Sequence, residues 1–267
     1  MNPRISRRSL VLAVVVSGAS IFAQSANATI VEFQTVMGKI EVNLYDNATP
    51  ETVANFLEYV NNMAYSDSVI HRSIPDFVIQ GGGFSFDDLT KAISAIPQNA
   101  SVVNEPVFSN VVGTISMAKL ANQPNSATNQ WFFNMANNSA NLDPQNGGFS
   151  VFGEVIGNGM DVLDAIAAVT AFDATAVLPS AFTNVPLRGD VNNDPLDETN
   201  FIIITDIIIT DSMVDTAGIA GLNPTPNTLI NPPPASPPTN SGGGGGGGSL
   251  GFLALFGLLL GYRFRQA

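Results

Sequence analysis

Val31 and Phe33, then Ile40, Val42 and Leu44, stand at every second position, with Met37-Gly38-Lys39 as a turn between the two runs. Lys39, Glu41 and Asn43 fill the alternate places. Period two fits a strand and not a helix, so this part of the chain is a hairpin with one buried face. That face needs a second apolar surface, sheet or helix, to cover it. Cysteine is absent, so neither disulfides nor a thiolate zinc site can hold the fold. Burial has to do it, and the 45% apolar content is enough for a core.

Two helices interrupt the β pattern. Thr49-Pro50-Glu51 reads as a helix start, with a cap, a proline in the first turn and a carboxylate at the positive end of the dipole. Val53, Phe56, Leu57 and Val60 follow as one apolar stripe. A second helix is expected over Met160–Ala168, with Met160, Leu163, Ile166 and Ala167 on one side. Phe201–Thr210 is β-branched and apolar, a closing strand. Strands with two widely separated helices suggest a barrel or sandwich with helices over its open ends.

The ends of the chain read as addresses. In residues 1–28, Arg4, Arg7 and Arg8 precede the apolar run Leu10–Ser20, and Ala26-Asn27-Ala28 offers a cleavage site before Thr29. This is the pattern of an export signal peptide, with an uncut anchor as the alternative. Ser6-Arg7-Arg8-Ser9-Leu10 also resembles a twin-arginine signal, although the general secretory route ranks first because nothing here needs a cytoplasmic cofactor. After the domain at 29–211, residues 212–241 form a proline-rich linker, expected to be an extended spacer. Residues 242–249 are a glycine-rich swivel, and 250–267 hold a short apolar helix with Arg263 and Arg265 behind it. Thirteen residues at ~1.5 Å each reach roughly 20 Å, short of the ~30 Å hydrocarbon core. The order of glycines, apolar helix and arginines resembles the GlyGly-CTERM sorting tails of Gram-negative bacteria. That resemblance implies removal by a rhomboid-type sorting protease, with a permanent C-terminal anchor as the alternative. The implied location is exported, in the periplasm or at the cell surface, at least transiently anchored to the membrane.

Between the terminal arginines lie five basic and 22 acidic residues. So acidic a body repels nucleic acid and anionic lipid, and no nucleic-acid partner is expected. A single histidine, His71, excludes a multi-histidine metal centre. Gly81-Gly82-Gly83 lacks dinucleotide-binding spacing. Asp190–Asp194 begins like a calcium loop but has Pro195 and Phe201 where glycine and glutamate are needed. No Gly-x-Ser-x-Gly elbow accompanies His71, so a serine hydrolase is set aside.

Four stretches carry the chemistry. They are Val69–Phe84, which contains His71-Arg72 and Phe77-Val78-Ile79-Gln80; Gly113–Lys119; Asn125–Asn134, with Ser126-Ala127-Thr128-Asn129-Gln130; and Asn141-Leu142-Asp143 followed by Phe149–Gly153. In this order they resemble the cyclophilin family of peptidyl-prolyl cis-trans isomerases, in the style of its exported bacterial members, over essentially Thr29–Asp211. The resemblance implies a mainly β fold, a closed eight-stranded antiparallel β-barrel capped by two α-helices, and a surface groove for proline-containing polypeptides. It implies no metal and no cofactor.

Carried over position by position, the resemblance gives Arg72 the catalytic place. Phe77, Val78, Phe132 and Leu142 wall the proline pocket, and Gln80 binds a substrate carbonyl. Ala118 and Lys119 pair with the peptide backbone, Gln130 is a polar neighbour, and Phe149 stands where animal members carry histidine. Such a site suits the reaction. Rotation about an amide faces ~18–20 kcal/mol because nitrogen shares its lone pair with the carbonyl. X-Pro bonds have two comparable isomers that exchange over tens to hundreds of seconds. In the twisted transition state the lone pair is localised, and a permanently charged, rigid guanidinium bonds it better than it bonds the planar amide. His71 reads as structural rather than as an acid or base. Two departures from the pattern, Val78 for Met and Asn141 for Trp, leave open a surface-tethered proline-peptide binding module with little turnover. Asn141 also implies weak cyclosporin binding.

Overall fold

The computed structural model describes residues 29–191, 196–212 and 222–230. The expected hairpin is β1 (Ile30–Thr35) with β2 (Gly38–Leu44), paired from Thr35↔Gly38 to Ile30↔Asn43. Helix α1 (Pro50–Asn61) follows. Next come β3 (Ser68–Val69), β4 (Arg72–Ile74), β5 (Val78–Gly81), β6 (Phe84–Asp87) and β7 (Ala92–Ala95). Then β8 (Thr114–Met117) and β9 (Trp131–Asn134) precede the short α2 (Ser139–Leu142) and a 3-10 turn at Gln145–Gly147. The described chain continues through β10 (Val151–Ile156), α3 (Gly159–Ala167), β11 (Ala171–Phe172), β12 (Val185–Pro186) and β13 (Ile203–Asp211).

Eleven strands form one sheet in the order β4-β5-β9-β8-β10-β2-β1-β13-β3-β6-β7, and β11 pairs with β12 alone. Where eight strands were expected, the described residues hold thirteen, eleven of them in this sheet, because turns and bulges cut several into short pieces. The Ser68–Ile74 stretch is one such case, split at Ile70 and His71 where the ladders change partner. The outer strands β4 and β7 share no ladder, and among the described residues the domain's helices number three rather than two, α2 being unforeseen.

The core lies beneath the inner face of this sheet. Phe33, Trp131 and Phe133 meet edge to face with centroids 5.1–5.4 Å apart. Helix α1 covers them with Val53, Phe56 and Val60, the stripe read from the sequence. Its N-terminus is capped differently from expectation. Thr49 makes no side-chain cap bond; the Glu105 carboxylate accepts the amides of Glu51 (3.3 Å) and Thr52 (2.8 Å) from 54 and 53 residues away. A carboxylate so placed satisfies orphan N–H groups and complements the helix dipole. A second cluster, with Phe84, Phe86, Phe182 and Phe201, packs around Val69 on the far side.

Three glycines end β5 and turn the chain. At Gly82, φ is +77°, and a Cβ would come within 2.6 Å of Asn129 O and 2.7 Å of Trp131 Nε1. Only glycine fits there. Among the described residues no helix is long and apolar enough to cross a membrane. The signal-like stretch, the glycine swivel and the apolar tail lie outside the described residues.

Candidate active site

Alternation in β9 divides its side chains between two worlds. Trp131 and Phe133 enter the main core, and Phe132 and Asn134 face outward. On that outer face the register sets Arg72 opposite Gln80, Gln80 opposite Phe132, and Phe132 opposite Ser116. Directly opposed residues share a face, so Arg72 stands two strands, roughly 10 Å, from the Phe132 position.

Val78, Ala118, Phe132, Leu142 and Phe149 form an apolar cluster of their own, separate from the main core, with the half-buried Phe77 packed on it. Phe132 and Phe149 meet edge to face at 5.8 Å. A polar file runs beside them: Arg72 Nη1 donates to Gln80 Oε1 (3.1 Å), and Gln80 Nε2 donates to Gln130 Oε1 (2.9 Å). The structure therefore places six of the ten sequence-derived site residues in one apolar patch and three in one polar file. Burial pushes the Arg72 guanidinium down to about 10, still charged at neutral pH.

Lys119 is the tenth, and its side chain turns inward. Its ammonium donates to Asn146 O (3.0 Å) and to Gly148 O, and lies 4.7 Å from the centroid of Phe149. Burial pushes it down to about 8. Asn146 Nδ2 returns a bond to Leu120 O (2.8 Å), so the two segments clamp each other. Ala118 N–H donates to Gln130 O (2.9 Å).

Under the apolar patch lies a buried polar network. Asp143 accepts from Asn110 N (2.8 Å), Asn110 Nδ2 (2.9 Å) and Ser109 Oγ (2.7 Å). Asn110 Oδ1 accepts from Ser116 Oγ (2.8 Å). Asn138 Nδ2 lies 2.9 Å from Phe77 O and 2.8 Å from Asn134 Oδ1, and Asn138 N donates to Asn110 O (2.8 Å). Sequence reasoning missed Asn110, Asn134 and Asn138 as site supports. Their spacing gave no signal of this, because asparagine is equally at home in solvated turns.

His71 is fully buried between Phe84 (5.3 Å) and Phe182 (5.9 Å). Burial, then the charge of Arg72, pushes it down to about 3, so it is neutral; a backbone approach at Val69 opposes this weakly. Among the described residues neither ring nitrogen meets a partner within hydrogen-bond geometry.

The family model described as cyclophilin type peptidyl-prolyl cis-trans isomerase/CLD matches residues 30–183, more than half of the chain. The chain belongs to this family. Among curated relatives, a peptidyl-prolyl cis-trans isomerase of Acinetobacter baylyi is 43% identical over 159 residues, covering 59% of this chain and 82% of that protein. Peptidyl-prolyl cis-trans isomerase A of Dickeya dadantii is 39% identical over 170 residues, covering 62% and 86%. Isomerase B of Escherichia coli is 38% identical over 143 residues, covering 52% and 84%. A solved cyclophilin-type isomerase of Cryptosporidium parvum superposes with a TM-score of 0.50 at 23% identity, covering 70% of this chain and 99% of that one, a likeness of fold alone. Family and relatives together make this cyclophilin a peptidyl-prolyl cis-trans isomerase by class.

Proposed function

We propose that this isomerase turns X-Pro bonds of exported polypeptides, with Arg72 as the group that stabilises the twisted amide. The observation that carries the reading is the polar file Arg72–Gln80–Gln130 running beside the apolar patch of Val78, Phe132, Leu142 and Phe149. A proline ring held against the patch, with Phe77 at its rim, keeps one side of the bond fixed. Gln80 and the Ala118 carbonyl hold the peptide backbone, and the carbonyl side swings. As nitrogen becomes pyramidal, its lone pair meets the fork of Arg72. Donors already aimed there need no rearrangement at the moment of rotation. No covalent bond forms and no proton is transferred.

The signal-like residues 1–28 support export to the periplasm or cell surface by the cell's export machinery. The glycine–apolar–arginine tail supports sorting by a rhomboid-type protease. For the fold, the two-residue link between β3 and β4 supports a sheet wrapped into a closed barrel. The test of function is exchange spectroscopy on an Ala-Pro peptide with a small fraction of protein. The reading expects cis-trans exchange to accelerate in proportion to enzyme; unaltered exchange on a peptide that binds would overturn it.

A further inference from the structure

Part of the proline-rich stretch expected to be an extended spacer is packed on the domain. Thr225 O accepts from Ser109 N (2.8 Å), and Asn227 N donates to Val107 O (2.8 Å), so the tail adds a short antiparallel pairing around Phe108↔Pro226. Asn227 then does two further things. Its Oδ1 accepts from Leu229 N (3.0 Å) and Ile230 N (3.2 Å), which turns the chain, and its Nδ2 donates to Asp143 O (3.3 Å).

The platform beneath is firm. Phe108 packs edge to face on Tyr45 at 5.0 Å, and Tyr45 donates to Glu154 (2.9 Å). Ser109 Oγ lies 2.7 Å from Asp143 Oδ2 and 3.2 Å from Pro226 O, and its single proton goes to the nearer, charged acceptor. The strap thus meets the polar network at Ser109 and at Asp143, the residue after Leu142. Gly148 shows how close the fit is: at φ +72°, a Cβ would come within 2.7 Å of Pro106, 2.9 Å of Asp143 O and 3.2 Å of Asn227 Nδ2. Asp143 and Gly148 bracket the loop that leads from Leu142 to Phe149, two residues of the apolar patch.

We propose that residues 223–230 are an internal peptide ligand that docks on Val107–Ser109 and braces the Leu142–Phe149 wall, with Asn227 as the positioning residue. The proposal rests on that wall being the proline pocket. Docking limits how far the wall can open, so it sets substrate affinity more than turnover.

Two variants of the full chain test it: Asn227→Asp, which keeps the acceptor for Leu229 and Ile230 but loses the donor to Asp143, and a chain with residues 223–230 replaced by glycine and serine at equal length. Amide exchange at Ser109 reads docking, and KM against kcat on an Ala-Pro peptide reads the pocket. In the unaltered chain Ser109 N–H is expected to be protected. In the replaced chain it is expected to lose protection while KM rises about fivefold and kcat stays within about twofold. Asn227→Asp is expected to raise KM less, with Ser109 still partly protected. An unprotected Ser109 amide in the unaltered chain overturns the proposal. So does an unchanged KM once protection is lost. Arg72→Ala is run beside them: if it is inactive, the pocket reading stands and a flat KM indicts the strap alone; if it is active, the pocket reading fails and the strap proposal falls with it.

Discussion

Arg72 and Gln80 are opposed residues of one antiparallel ladder, and their side chains are bonded as well, Nη1 to Oε1 at 3.1 Å. A guanidinium on a long stem has many rotamers, and this bond selects one of them. Gln80 is itself held by Gln130 at 2.9 Å, so the direction of the fork is set by two amides in series. Gln80→Ala is expected to lower kcat/KM by about tenfold and stability by about 1 kcal/mol, since a buried hydrogen bond is lost at both ends. Gln130→Ala leaves the Arg72–Gln80 bond in place and should cost less. Steady-state kinetics with urea titrations of both variants check the order.

Lys119 is expected to act on the wall through its side chain. Lys119→Met keeps length and apolar bulk but removes the donor to Asn146 O and Gly148 O and the cation facing Phe149. Those carbonyls are then poorly satisfied, and a loss of about 1–3 kcal/mol is expected in denaturant unfolding. KM should rise more than kcat falls, because Phe149 is reached through the loop that Lys119 holds.

His71 gives the protein an acid weakness. Its folded-state value is about 3 and its ordinary value 6.5. Between these the unfolded chain carries a proton that the folded chain refuses, so stability present above pH 6.5 is lost as pH falls towards 3. The slope within that window is about 1.4 kcal/mol per pH unit. His71→Leu, apolar in an apolar site, should flatten the dependence of urea midpoint on pH between 4 and 6.5. Parallel slopes in the two proteins would contradict it.

Asn141 is exposed beside the buried Leu142. Cyclosporin should bind weakly to the unaltered chain. Asn141→Trp is expected to tighten binding by about tenfold or more, the worth of a partly buried aromatic surface. Titration calorimetry on both proteins measures it.

Much of this was legible in the sequence because it rests on local period. Alternation gave the first hairpin, and the stripe Val53–Val60 gave α1. What escaped depends on residues far apart. Glu105 caps a helix 54 residues before it, and Asp143 draws on Asn110 and Ser109 from 33 and 34 residues away. Asparagine and serine are common in turns, so their pattern does not separate a solvated loop from a buried network. The strap was hidden for a similar reason. Prolines do predict extended chain, and Thr225–Asn227 is extended, but composition carries nothing about the free backbone groups at Val107 and Ser109 that it would find.

The central claim is that a fixed guanidinium stabilises the half-rotated amide. The most direct measurement is kcat/KM on an Ala-Pro peptide for Arg72→Ala and Arg72→Lys, with folding checked by near-ultraviolet circular dichroism. Both folded variants are expected to lose about 100- to 1,000-fold, the 2.7–4 kcal/mol of one preorganised donor, since lysine keeps the charge but not the fork. A folded Arg72→Ala protein that isomerises at close to the unaltered rate would contradict the account.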